Sequence, residues 1–277
     1  MTSSAMNILP IQTLAPVLSN ERVIYDKGSR ISVHLLWLKA PEIASIAQPG
    51  QFVMLKCGGE AFLRRPLSVH RISPNKNNIA FLFDVVREGK GKGTSWLSKL
   101  RQNDEINLLG PLGNGFHIVP ETKSAVLIAG GVGIAPLSFL ADELGARGVK
   151  MSLYYGAKKS TLLLPDQLLP TDAECVLATE DGSRGQRGFI TTCLPVLLGE
   201  SSQVFACAPT PMYRALAQMD RVHDWNVQVS LETRMACGLG ICYGCTINTR
   251  QGPRQICHHG PVFNMHDIQW DKFPDIL

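Results

Sequence analysis

The chain has 277 residues, 45% hydrophobic and 18% charged, with a net charge of +4. That length exceeds one ordinary core and fits two domains plus a small module. The mild charge, with no lysine/arginine block, argues against nucleic-acid binding, and the composition excludes a disordered or fibrous chain.

Residues Met1 to Arg22 lack a basic start followed by a long apolar run, so no signal peptide is expected. Residues 1–20 read as an N-terminal extension. From 21 to 117, short β-branched or alternating runs are bounded by Gly/Pro/Asn clusters: Arg30–Trp37, Gln51–Lys56, Leu67–Ile72, Ile79–Val86 and Glu105–Leu109. With one helix over Gly93–Arg101, they predict a small antiparallel β-barrel. Inside it stands Phe62-Leu63-Arg64-Arg65-Pro66-Leu67-Ser68. Arginines beside a strand suit bidentate recognition of a phosphate. Pro66 fixes the local backbone, and the Ser68 hydroxyl can hydrogen-bond near a ring. Val85-Val86-Arg87 then leads through a glycine-rich turn to Gly93-Thr94, where the amides of a helix start can bind a pyrophosphate. Alone, each run also fits a basic strand edge or a flexible loop.

From 118 to 229 the rhythm changes to strands alternating with helices. Strands are expected at Ala125–Ala129, Lys150–Tyr155, Cys175–Thr179 and Gln203–Ala206. Helices are expected at Ala135–Arg147, Phe189–Leu198 and Pro211–Met219. This pattern predicts an α/β domain with a parallel sheet. Ser124–Ala141 is uncharged and long enough to span a membrane, but Gly130, Gly131, Gly133 and Pro136 interrupt it. A buried strand, a glycine turn and a helix account for it, and no membrane segment is expected. The turn reads G-x-G-x-x-P, with proline where the usual dinucleotide fingerprint has glycine or alanine. No acidic residue marks the end of the next strand; Lys158 and Lys159 stand there, leaving NAD against NADP open. A polar loop with Asp181 and a turn at Cys207-Ala208-Pro209 complete the candidate dinucleotide edge.

Residues 230–277 hold Cys237, Cys242 and Cys245 at C-x4-C-x2-C spacing, with Cys257 eleven residues further on. Four thiolates at such spacing suit a [2Fe–2S] cluster, and the intervening glycines permit the tight path around it. A structural zinc site usually shows two C-x2-C pairs, and only one is present. His258 and His259 raise a Rieske reading, but four cysteines already suffice. Cys57, Cys175, Cys193 and Cys207 are scattered, as buried small hydrophobes are, which fits a reduced cytoplasmic setting.

Arg65-Pro66-Leu67-Ser68 followed by Gly93-Thr94 resembles the FAD motif of the ferredoxin–NADP reductase superfamily. The resemblance implies that Arg65 pairs with the FAD pyrophosphate and Ser68 acts beside the isoalloxazine. Pro66, Leu67 and Val85–Arg87 would line the cofactor, and Gly93 and Thr94 would hold phosphate oxygens. Gly130, Gly131, Gly133, Pro136, Asp181 and Cys207 would serve the nicotinamide dinucleotide. Cys207-Ala208-Pro209 is similar to that superfamily's Cys-Gly-Pro turn, with alanine for glycine. The short gap before Cys257 and the run Cys257-His258-His259-Gly260-Pro261 narrow the resemblance to the electron-transfer subunits of dihydroorotate dehydrogenase B. It covers about Glu21 to Phe263. It implies an FMN-containing catalytic partner oxidising dihydroorotate, in an assembly of two copies of each subunit. Electrons would pass through the cluster and FAD to NAD⁺. A related reductase subunit with another partner, such as a sulfite reductase, hydrogenase or ferredoxin system, shares these motifs; a zinc-binding interaction module is the non-redox alternative.

Overall fold

The computed structural model describes residues 9–58, 61–86 and 92–274. Six strands close an antiparallel barrel: β1 (Ile11–Asp26), β2 (Ile31–Lys39), β3 (Phe52–Leu55), β4 (Arg65–Ile72), β5 (Asn78–Val86) and β6 (Glu105–Leu112), in the order β1-β2-β5-β4-β3-β6. Two short helices, α1 (Pro41–Ala44) and α2 (Lys92–Leu97), interrupt the strands. The expected extension over residues 1–20 is corrected here. β1 begins at Ile11, pairs with β6 through Pro16, and passes to β2 from Val17 onward. Ala15 and Val17 are fully buried, because without this strand the barrel would have an open edge.

The α/β domain contains β7 (Ser124–Gly130), α3 (Ile134–Ala146), β8 (Lys150–Ala157), β9 (Ala173–Thr179), β10 (Gln186–Arg187), β11 (Ser202–Cys207), α4 (Thr210–Ala217), α5 (Asp220–His223) and β12 (Val227–Ser230). The expected helix over Phe189–Leu198 reduces to a 3₁₀ turn at Ile190–Cys193. Pro195 disfavours helical backbone at Leu194, and Val196 and Leu197 lie exposed. The last segment adds a hairpin of β13 (Thr246–Thr249) and β14 (Gly252–Gln255), then α6 (Ile256–His259) and β15 (Val262–Asn264).

β15 does not stay within its own module. It pairs antiparallel with β12 and completes a seven-stranded sheet of order β10-β9-β8-β7-β11-β12-β15. The chain runs outward from β7 through β8 and β9, then returns to β11 and β12 on the other side. The order therefore reverses between β7 and β11, the place where such sheets bind ligands at their carboxyl edge.

Side-chain alternation along β2 joins the units. Val33 and Leu35 face the α/β domain with Ile134, Leu137 and Ala141 of α3, while Leu36 and Leu38 fill the barrel interior. A further core runs from Phe52 and Met54 of the barrel to Val126 and Ile128 of β7, and on to Met235, Cys245, Ile256 and Cys257. Among the described residues, no helix is long and apolar enough to cross a membrane.

Candidate cofactor sites

The two barrel arginines separate in the structure. Arg64 is spent on the fold: its guanidinium donates to the Met54 carbonyl at 3.3 Å and to the Asn107 carbonyl at 3.2 Å, with a further bond to Asn107 Oδ1. Among the described residues, Arg65 donates only to the Leu63 carbonyl, at 2.8 Å, and its side chain lies across Gly93. A Cβ at Gly93 would stand 2.3 Å from Arg65 Nε, so the glycine is what lets the arginine meet the start of α2. Arg65 and the Gly93–Thr94 start of α2 are therefore adjacent, as a shared phosphate requires. Pro66 and Leu67 pair with Met54 and Val53, and Ser68 with Phe52. Ser68 is half-buried, and its hydroxyl has no partner among the described residues, which leaves it open to a ligand. Val85 is half-buried on β5, paired with Ser32; Val86 pairs with Ile31. Arg87 lies outside the described residues.

At the dinucleotide edge the three glycines differ. A Cβ at Gly133 would stand 2.0 Å from the Cys207 carbonyl oxygen, and one at Gly130 would meet Pro209 Cδ at 2.8 Å. Both are needed so that the turn after β7 can press against the turn after β11. Gly131 has φ of 55°, and a Cβ there would meet nothing within 4 Å, so it alone of the three faces open space. Pro136 is buried in the first turn of α3, where its missing N–H costs nothing. Cys207 is 1% exposed, and burial, followed by the nearby Glu232 charge, pushes its thiol well up. Its Sγ is a packed, protonated group; the turn meets Gly133 through backbone and Gly130 through Pro209 and Ala208. Tyr213 anchors that turn, receiving the Ala208 N–H at 3.0 Å and donating to the Ser230 carbonyl at 2.7 Å. Asp181 shapes its own loop: Oδ1 accepts the Ser183 hydroxyl at 2.6 Å and the Ser183 N–H at 3.0 Å, and these bonds hold its carboxyl below the usual range.

The four cysteines of the last module form two pairs. Cys245 and Cys257 are both buried, with sulfurs 3.2 Å apart, and the Cys242 thiol bonds Cys237. Gly238 and Gly240, with φ of 71° and 75°, turn the loop so that backbone N–H groups face sulfur. The Gly240 N–H donates to Cys257 Sγ at 3.2 Å and the Leu239 N–H to Cys237 Sγ at 3.4 Å. Burial opposes ionisation of Cys237. The amides of Leu239, Cys242 and Ile241, with the Cys242 thiol, outweigh it and bring Cys237 down to about 6. At Cys257, burial and the Cys245 partner push the thiol up to about 12. Two thiol pairs fit two irons, one pair to each, and the amides fit the electron-rich sulfur of such a unit. Of the other cysteines, Cys57 is buried as expected, but Cys175 is exposed on β9.

Some contributors have no signature in the sequence. Met54 lies between the two motifs: it pairs with Pro66 on β4, and a Cβ at Gly238 would stand 2.9 Å from its Cγ. Asn114 ties the barrel to the cluster module, its Nδ2 donating to the carbonyls of His258 at 3.2 Å and His259 at 3.0 Å. Glu232 opens to solvent although protein surrounds it; burial and the charge of Asp84 on β5 raise its carboxyl.

A closed flavin-type barrel, a switch-point α/β sheet and a four-thiol loop define a chain of the ferredoxin–reductase type with an added cluster module. Comparison with known proteins agrees. Residues 232–269 match the model of the iron–sulfur cluster binding domain of dihydroorotate dehydrogenase B. The chain is 38% identical over 242 residues to the dihydroorotate dehydrogenase B (NAD(+)) electron transfer subunit of Desulforamulus reducens, covering 84% of this chain and 90% of that one. It is 36% identical to the Clostridium perfringens subunit of the same name, covering 80% and 87%. Among solved structures, an NADH-dependent reduced ferredoxin–NADP oxidoreductase aligns with a TM-score of 0.80 at 27% identity, over 94% of this chain and 91% of that one. The ferredoxin–NADP⁺ reductase of Plasmodium falciparum shares the fold, with a TM-score of 0.63 at 16% identity over 80% and 96%. The chain belongs to the family of dihydroorotate dehydrogenase B (NAD(+)) electron transfer subunits.

Proposed function

We propose that this chain is the electron-transfer half of a two-subunit enzyme, connecting dihydroorotate oxidation in an FMN-containing partner to reduction of NAD⁺ in the cytoplasm. The observation that carries the reading is Met54, which touches the cluster loop at Gly238 and pairs with Pro66 of the flavin strand. The two cofactor motifs thus meet at one buried residue, as short-range electron exchange demands. When bound, FAD supplies the exchange between single electrons, which a [2Fe–2S] unit carries, and the hydride that NAD⁺ takes.

The residues divide the work. Arg65 and the start of α2 hold phosphate, and Ser68 offers a hydroxyl to the flavin ring. Gly131 admits a pyrophosphate, while Gly130 and Gly133 bring the turn after β11 beside it. Cys237, Cys242, Cys245 and Cys257 hold the irons. Leu239, Ile241 and Tyr243 are 40%, 72% and 71% exposed around the thiols. An apolar rim of this kind marks a contact surface, which fits a partner docking over the cluster. The assembly expected from the family is two copies of each subunit.

The test is anaerobic copurification with the candidate dehydrogenase subunit. The complex should be brown, with flavin and iron–sulfur absorption, and should reduce NAD⁺ when given dihydroorotate. A stable complex that reduces no NAD⁺, or a colourless chain carrying stoichiometric zinc, defeats the proposal.

A further inference from the structure

We propose that this chain selects the dinucleotide without a 2′-phosphate because Asp26, a residue of the flavin barrel, withdraws Lys159 from the cofactor edge. The inference rests on the nicotinamide reading above and extends it to the adenosine end. In doubly wound sheets the end of the second strand decides this choice. A carboxylate there takes the ribose 2′-hydroxyl, and a cation takes a 2′-phosphate. That strand is β8, and Lys158 and Lys159 follow it. By sequence alone, two lysines at this place leave the phosphorylated cofactor open.

The fold removes one of them. Lys159 Nζ lies 2.8 Å from Asp26 Oδ2, and the Asp26 side chain is 7% exposed. The other carboxylate oxygen accepts the Thr161 hydroxyl at 3.1 Å. Oδ2 also accepts the Ser29 N–H at 2.7 Å, together with the Ser29 hydroxyl. Gly28 roofs the ammonium, since a Cβ there would stand 3.3 Å from Nζ. Lys159, followed by Ser29, holds the Asp26 carboxyl well below the usual range, so the pair stays charged. The β1–β2 turn of the barrel thereby clasps the loop after β8.

The rest of the edge has the same bias. Arg184 Nη2 donates to both oxygens of Asp166, at 2.6 and 2.7 Å. The loop after β9 is stitched to the loop after β8 by the Glu180 N–H on the Ala157 carbonyl at 3.2 Å, and by the Ser160 N–H on Ser183 Oγ at 2.8 Å. It carries Glu180 and Asp181, both exposed, against the exposed Lys158 and Arg187. A dianion arriving here meets two carboxylates and finds two of four cations already paired. A neutral 2′-hydroxyl carries no such penalty.

Calorimetric titration of NAD⁺ and NADP⁺ into the FAD-loaded full chain tests this. The wild-type chain should bind NAD⁺ at least about tenfold more tightly than NADP⁺. Asp26→Asn can keep the Ser29 bonds on its amide oxygen and meet Thr161 Oγ1 by donating from Nδ2, but it removes the negative charge that holds Lys159. It should strengthen NADP⁺ binding about tenfold while NAD⁺ changes less than about threefold, and the gain should shrink in high salt. Adding Lys159→Met to Asp26→Asn should abolish the gain. Lys159→Gln alone should leave both affinities within about twofold, because the wild-type lysine does not reach the ribose. A wild-type chain that binds no NAD⁺ overturns the nicotinamide reading itself. Normal NAD⁺ binding with no NADP⁺ gain in Asp26→Asn overturns only the role of Asp26. So does a tenfold loss of either dinucleotide in Lys159→Gln.

Discussion

The barrel is joined to its two neighbours by different chemistry. Toward the cluster module the joint is apolar and backbone-made. Met54 lies against Gly238, Leu112 packs in the shared core, and the Asn114 N–H bonds the Gly260 carbonyl at 2.7 Å. These three contacts involve no titratable side chain, although the charge of Asp84 on β5 is felt by Glu232 across the same joint. Toward the α/β domain an apolar core is present too, but ionisable side chains cross it. His70 bonds the Ala135 carbonyl at 3.1 Å, Arg71 meets Asp142 at 3.0 Å, and Asp26 meets Lys159 at 2.8 Å. The difference teaches that the route for electrons is fixed by packing, while the side that must admit a diffusing dinucleotide is set by charge. Packing does not respond to pH or salt; the charged joint does.

The largest expected effect is on the packed side. Cys245→Ser removes a buried sulfur that pairs with Cys257. It should abolish the iron–sulfur absorption and lower dihydroorotate-driven NAD⁺ reduction at least about 100-fold, with flavin content unchanged. Retained iron–sulfur absorption would show that the thiol pair is not a ligand pair. Next, Gly238→Val adds a side chain at φ of 71° against Met54. Denaturant titration should show a loss of about 3 kcal/mol.

On the charged side, His70 is 1% exposed, and burial pushes its pKa down to about 4 from 6.5. The folded state thus binds fewer protons than the unfolded chain below pH 6.5. The His70 contribution is fully present above that pH and is lost as pH falls toward 4, by about 3 kcal/mol in total. His70→Phe should flatten this part of a stability-against-pH curve, and an unchanged slope would remove His70 from the joint. The smallest effect belongs to Arg71, whose pair with Asp142 is partly exposed. Arg71→Met should cost about 0.5–1 kcal/mol, falling further in high salt.

Much of this architecture is legible in the residues, but not all of it. The four cysteines and Arg65-Pro66-Leu67-Ser68 are local, since their chemistry lies in type and spacing. The β-barrel and parallel sheet follow from strand and helix rhythm. β1 is harder to read, because Pro16 interrupts its pattern and its two halves pair with different partners, β6 and then β2. Residue type alone does not separate Arg64 from Arg65; the Arg65-Pro66-Leu67-Ser68 resemblance does, and Asn107, brought close by β6, shows how Arg64 is occupied. That the Cys207 thiol is buried, with Tyr213 and Ser230 beside it, is likewise not visible in its motif. Lys159 reads as an unpaired cation until the barrel brings Asp26 to it. For Arg64 and Lys159 the deciding partner is distant in the chain, where spacing carries no information.

β15 has a consequence for how this chain can be cut. The three-residue strand pairs with β12 through Gln228↔Asn264, Val229↔Phe263 and Ser230↔Val262. It is therefore the selvedge of the seven-stranded sheet, the woven border that stops a fabric unravelling. Shortening the chain after Leu231 to obtain a simple flavin reductase would bare a row of unpaired amides and carbonyls along β12, ready to template a second molecule. The iron-binding module and the solubility of the domain before it are inherited together.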